Sequence, residues 1–125
     1  MELISVIVPC YNEQESLPLF YREITSVTDG MKQKYYNENI SDLEFEYLFI
    51  NDGSKDDTLK ILRELAADDR RVRYVSFSRN FGKEAAMLAG LEQSRGDYCV
   101  ILDADLQHPP KLIPQMYDYV RSGEY

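Results

Sequence analysis

Short β-branched apolar runs alternate along the chain with longer stretches in which apolar residues return every three or four positions. Ile4-Ser5-Val6-Ile7-Val8 is such a run, and it closes on Pro9, which cannot donate to a ladder and belongs at a strand's end. From Leu17 the positions Phe20, Ile24, Val27, Met31 and Tyr35 recur at helical spacing, with Ser16 as N-cap and Pro18 in the first turn. This pattern predicts a first helix that frays beyond Gly30. Residues 37–44 carry two apolar side chains among six polar ones and suit a solvated connection. A second strand over 45–50 runs into the turn-forming cluster Asn51-Asp52-Gly53-Ser54. A second helix starts near Asp57 and aligns Leu59, Leu62, Leu65 and Ala66. A third strand covers 72–77. A third helix covers about 83–94, where Ala85, Ala86, Ala89 and Gly90 are small enough to lie close on a sheet. A fourth strand covers 98–102, and Pro109-Pro110 opens a fourth helix with a stripe of Leu112, Ile113, Met116, Tyr117 and Val120.

The order βαβαβαβα predicts an α/β fold, an open parallel sheet with right-handed crossovers and helices on both faces. Such sheets bind ligands outside the carboxyl ends of their strands, where strand order reverses. Polar residues follow every predicted strand there: Tyr11-Asn12-Glu13, Asp52-Gly53-Ser54, residues 79–83 and Asp103-Ala104-Asp105. That convergence places the first and fourth strands side by side. Cys10 then lies at the carboxyl end of one and Cys99 near the amino end of the other. Five residues of strand would hold them roughly 16 Å apart, beyond the ~7 Å Cα limit of a disulfide. Both are expected to be buried free thiols.

Charge narrows the partners. The chain has 14 basic and 22 acidic residues, a net charge of −8, and 44% apolar residues, enough for one folded domain over 1–125. No basic stripe offers a nucleic-acid surface, and Arg70, Arg71 and Arg73 alternate with Asp68 and Asp69 as a solvated face would. The longest uninterrupted apolar runs, 85–89 and 98–102, are five residues each, against about 20 for a bilayer span. No basic leader precedes the first strand, so the sequence points to a cytoplasmic setting. Two cysteines are too few for a structural zinc cluster.

The candidate chemistry gathers at the polar loops. In an extended backbone Asp103 and Asp105 project to the same side with Cα atoms about 7 Å apart. Two carboxylates so placed suit Mg²⁺ or Mn²⁺, which take oxygen ligands from one or two carboxylates and from substrate phosphates. Other phosphate cradles are ruled out by spacing. Gly30, Gly53, Gly82, Gly90, Gly96 and Gly123 include no pair two apart, so the Gly-x-Gly-x-x-Gly fingerprint is absent. Gly82-Lys83 is followed by Glu84, and Phe77 stands where a P-loop needs its first glycine. A diphosphate here would be held by metal and side chains.

Four blocks in order carry a family resemblance: 8–13 (Val-Pro-Cys-Tyr-Asn-Glu), 51–54 with Asp57-Thr58, 79–83 (Arg-Asn-Phe-Gly-Lys), and 103–110 (Asp-Ala-Asp-Leu-Gln-His-Pro-Pro). Together they resemble the family 2 glycosyltransferases of GT-A fold, in the branch of dolichol-phosphate mannose synthase and the bacterial polyprenyl-phosphate glucosyltransferases. The resemblance implies the Rossmann-like, nucleotide-binding half of that fold. It implies that Pro9, Tyr11 and Glu13 line the base and ribose pocket of a nucleotide sugar. Asp52 would accept from the nucleobase with Ile50 beneath it, and Lys83 would meet phosphate or base. Asp103 and Ala104 would contact the ribose side, and Asp105 and Gln107, with Asp103, would hold Mg²⁺ or Mn²⁺. His108 is assigned no role. The implied donor is a uridine diphosphate sugar, with guanosine diphosphate mannose as rival, and the implied acceptor is polyprenyl phosphate or a saccharide. The acceptor half, a general base and any membrane-anchoring helices would follow Tyr125, at the cytoplasmic face of a membrane. The face those elements would cover leaves room for homo-oligomer formation. Two other readings stand beside this one. A sugar-nucleotide pyrophosphorylase would want a glycine-rich loop after the first strand. A phospho-accepting receiver module would want a further strand and helix between Glu13 and Asp52.

Overall fold

Strand periodicity splits the core in two. In β1 (Glu2–Cys10) the side chains of Ile4, Val6, Val8 and Cys10 enter one apolar cluster, while Ser5 and Ile7 face the other side. In β2 (Leu43–Asn51) Leu43, Phe45, Tyr47 and Phe49 join the first cluster and Leu48 and Ile50 the second. Apolar side chains on both faces explain why 47–50 is a continuous apolar run in sequence. The remaining elements are α1 (Leu17–Asn37), α2 (Thr58–Asp68), β3 (Val72–Ser76), α3 (Lys83–Gln93), β4 (Tyr98–Ile101), a 3-10 turn (Pro110–Leu112) and α4 (Ile113–Ser122). This computed structural model describes residues 1–107 and 109–123. Among them no helix is long and apolar enough to cross a membrane.

The four strands run parallel in the order β3-β2-β1-β4. Stepping from β1 to β2 to β3 carries α1 and α2 over one face, where Leu17, Phe20, Ile24 and Leu62 pack. Reaching β4 on the far side of β1 reverses the direction, so a right-handed crossover must take α3 over the opposite face. There Ala86 meets Leu48 and Ile50. A Cβ at Gly90 would stand 2.3 Å from Ile7 Cγ2, so only glycine lets α3 rest on β1 here. α4 returns to the first face, where Tyr117 meets Tyr35 edge to face at 5.1 Å.

Several expectations are corrected. α1 does not fray beyond Gly30 but runs two further turns to Asn37, because Met31 and Tyr35 are buried and the Tyr35 hydroxyl donates to Asp118. β2 starts at Leu43, fully buried and paired with Glu2, so the connection is shorter than 37–44. Ser16 sits at the N-cap without capping; its hydroxyl donates to Glu13 instead. Cys99 is exposed, opposite Ser5 in the register, so the two free thiols stand five residues of strand apart.

Arg70 is exposed as a solvated face would be, but Arg71 and Arg73 are half-buried and paired. Arg71 bridges Asp29 (2.8 Å) and Asp69 (3.0 Å) with its guanidinium 5.2 Å from the Tyr47 ring. Arg73 pairs with the buried Glu46 at 2.7 Å. Glu46 also accepts from the Ser5 hydroxyl and the Arg95 N–H. Burial opposes its charge, yet these donors and the Arg73 cation together hold its carboxyl below the usual carboxylate range.

A depressed carboxylate stabilises the fold above its unfolded pKa of about 4.3, and that contribution is lost as pH falls through the lower folded value. Glu46→Gln should therefore cost about 2–3 kcal/mol at neutral pH. Urea unfolding followed across the acid range should show a gap between the two proteins that closes below the unfolded pKa; a gap that does not change with pH would contradict this assignment.

Candidate functional site

β1 leads away toward β2 while β4 arrives on its other side, so the carboxyl ends of β1 and β4 flank the reversal of strand order. A cavity of about 270 Å³ opens there. Pro9, Cys10, Tyr11 and Glu13 line it from the end of β1, Asp52 from the loop after β2, and Lys83 from the first residue of α3. Asp103, Ala104, Asp105 and Gln107 close it after β4. Of the residues to which the resemblance gives a binding role, Ile50 alone does not line the cavity; it is buried with Leu48 and Ala86. His108 lies outside the described residues.

Cys10 was not anticipated. Its thiol is buried and donates to the Val8 carbonyl at 3.4 Å, and burial, with the Glu13 charge, pushes its pKa far up. It is therefore a small neutral wall. Its place as the last residue of β1, just before Tyr11, was the signal available in the sequence.

The loops after β1 and β2 form one unit. Asn12 and Glu13 N–H groups donate to Ser54 Oγ and Thr58 Oγ1, each at 2.9 Å. In return the N–H groups of Lys55 and Asp57 donate to the Asn12 and Gln14 side chains, again at 2.9 Å. The Asp52 N–H reaches the Cys10 carbonyl at 2.8 Å. The loop over 79–82 is laid on top: a Cβ at Gly53, whose φ is +68°, would stand 2.1 Å from the Arg79 carbonyl carbon.

Asp52 holds that third loop in place. The residue is 4% exposed, and its carboxylate accepts from Phe81 N–H (2.8 Å), Gly82 N–H (3.1 Å) and the Asn80 side-chain amide (3.2 Å). The Asn80 amide also donates to the Asp52 carbonyl. Asn80 stands in the 79–83 block with no role assigned to it, since only the fold brings it to Asp52. The chain passes directly from this clamp into Lys83.

The acidic segment departs from its predicted form. β4 ends at Ile101, and instead of extended chain, residues 103–106 make a turn closed by a 3.3 Å bond from Leu106 N–H to the Asp103 carbonyl. Leu106 takes a positive φ of 63°, and Ala104 is buried in the first core cluster, anchoring the turn. Asp103 forms an ion pair with Lys83, Nζ to Oδ1 2.7 Å. Asp105 is exposed and accepts from the Gln107 N–H at 3.2 Å. Two carboxylates and one amide make an all-oxygen donor set, which suits a hard divalent cation completed by phosphate oxygens and water. Among the described residues no group of three or more His, Cys, Asp or Glu side chains is placed to cage a metal unaided.

Gly53→Ala should lower stability by about 2 kcal/mol or more, because the backbone is strained for an L side chain and Arg79 occupies the space. A calorimetric melt is expected to show a fall of roughly 10 °C; an unchanged melt would mean that the loops are not stacked as described.

The family description "Glycosyl transferase family 2" matches residues 5–125. A putative glycosyltransferase CsbB of Bacillus subtilis (strain 168) is 46% identical over 121 residues, spanning 97% of this chain and 34% of that protein. The bactoprenol glucosyl transferase of Shigella phage SfX is 41% identical over 120 residues, spanning 96% of this chain and 36% of that protein. The chain thus covers about a third of the length of these curated relatives. A solved structure of the mannosyltransferase PcManGT from Pyrobaculum calidifontis, in complex with GDP-Man and Mn²⁺, superposes with a TM-score of 0.65 at 26% identity. That match spans 82% of this chain and 27% of that one, and gives the parallel sheet a GT-A neighbour. With the family pattern matched from β1 to the end of the chain, this chain belongs to glycosyl transferase family 2.

Proposed function

We propose that this chain is the donor-binding part of a longer, metal-dependent glycosyltransferase. The enzyme moves a hexosyl group from a uridine diphosphate sugar to polyprenyl phosphate at the cytoplasmic face of a membrane. One observation carries the reading: loops from four separate points of the sequence meet at the strand-order reversal around a single polar cavity. The bactoprenol glucosyl transferase among the relatives supports the acceptor class.

In this reading Tyr11, partly exposed at the rim, offers a flat apolar face to the nucleobase, while Pro9 and the neutral Cys10 form the floor beneath it. Asp52 has spare acceptor capacity for a base N–H beyond the three donors it already holds. Glu13, its carboxylate held by Ser16, faces the ribose hydroxyls. Lys83 provides a point charge for the diphosphate. Asp105, Asp103 and Gln107 would hold Mg²⁺ or Mn²⁺, which when bound supplies Lewis-acid neutralisation of the departing nucleoside diphosphate. In the transfer, the bond from the anomeric carbon to the β-phosphate oxygen breaks and an acceptor oxygen bonds to that carbon. A phosphate acceptor brings an oxygen that is already ionised near neutral pH, which relaxes the need for a strong general base.

Isothermal titration of this protein with UDP and with GDP, with and without Mn²⁺, tests the reading. UDP should bind with Mn²⁺ present, and Asp105→Ala should weaken that binding about tenfold or more. A preference for GDP would replace the donor. If neither nucleotide binds under any condition, the cavity is not a donor site.

A further inference from the structure

We propose that Lys83 is an internal counter-cation of the metal-free site: it neutralises Asp103 until the donor's diphosphate draws it away, so a divalent cation binds well only together with the nucleotide. This rests on the donor-site reading above and adds a binding order to it.

The geometry supporting it is an ion pair between elements far apart in sequence. Lys83 Nζ lies 2.7 Å from Asp103 Oδ1, with the lysine side chain 60% exposed and the aspartate 20% exposed. The backbone under Lys83 is fixed, because Phe81 and Gly82 donate to Asp52 and Gly82 precedes Lys83 directly. The four-carbon stem is not fixed, and its ammonium is a mobile point charge. A fixed root and a mobile head let this group change partners without moving the loop.

Charge explains why it should. Asp103, Asp105 and Glu13 all line the cavity, and among the described residues Lys83 is the one basic side chain on its wall. A cation arriving alone meets the ammonium already seated on one of its prospective ligands, and like charges a few ångströms apart repel. A diphosphate offers the ammonium new oxygens to pair with and offers the cation further ligands. Releasing Lys83 and admitting the cation therefore favour each other, and this coupling is reciprocal. Asp103 and Lys83 would thus report to the cation whether donor is present.

The test measures Mn²⁺ alone, UDP alone and the two together by titration calorimetry, with bound Mn²⁺ followed independently by electron paramagnetic resonance. Wild type is compared with Lys83→Met and Lys83→Arg, and circular dichroism checks that each is folded. Lys83→Met should bind Mn²⁺ alone about fivefold more tightly, as expected from removing a partly exposed pair. It should bind UDP more weakly when Mn²⁺ is present. The gain for Mn²⁺ alone should shrink as salt rises from about 0.01 to 0.15 M. Lys83→Arg keeps the charge and should bind Mn²⁺ alone as wild type does. If wild type binds UDP with Mn²⁺ but Lys83→Met binds Mn²⁺ alone no better than wild type, the counter-cation role is overturned and the donor site stands. If wild type binds no UDP with Mn²⁺, both are overturned.

Discussion

Right-handed crossing over a twisted parallel sheet leaves the chain one way to place β4 beside β1. α3 must cross the face that α1 and α2 leave open, and the loops at the carboxyl ends must part between β1 and β4. The cavity follows from that parting. It lies where backbone from two strands diverges and where the fold itself leaves a gap among side chains. The close contact of α3 with β1 at Gly90 keeps the crossover tight against the sheet. Lys83, at the first residue of that helix, is thereby delivered to the same edge as Asp103.

Asp52 converts this topology into a site. The carboxylate of a buried aspartate needs donors, and it finds them in two backbone N–H groups and one amide of the loop after β3. That requirement fixes the loop, and the close approach at Gly53 fixes its height above the sheet. The side-chain bonds of Asn12, Gln14, Ser54 and Thr58 join the loops after β1 and β2 in the same way. Three loops thus become one rigid wall. The fourth, after β4, is attached through buried Ala104, through Leu106 packed on the same cluster and through the Lys83–Asp103 pair.

The polar devices at the two ends of the sheet differ in kind. At the amino end, Ser5, Arg73 and the Arg95 N–H all donate to the buried carboxylate of Glu46. At the carboxyl end Asp105 is exposed with a single local N–H, and Lys83 is paired but mostly in solvent. Stability is served by closing hydrogen-bond demand, whereas binding needs some of it left open.

The sequence by itself determined the element order, the parallel sheet and the polar loops that meet at the cavity, because periodicity, turn residues and chain reversal rules are local or topological. Apolar spacing was enough to place α2, β3 and α3 within a few residues. It was not enough to end α1, since Gly30 is a local breaker whose cost is outweighed by the distant burial of Tyr35 against Tyr117. Nor could it show Leu43 in β2, because one apolar residue between polar neighbours is only recruited by pairing with Glu2. At the site, Tyr11, Asp52, Asp103 and Asp105 were legible as polar residues at strand ends. The Asn80–Asp52 clamp, the turn at 103–106 and the Lys83–Asp103 pair were decided by tertiary structure. Each joins groups from different parts of the chain or depends on burial at Ala104, and neither spacing nor propensity contains that information.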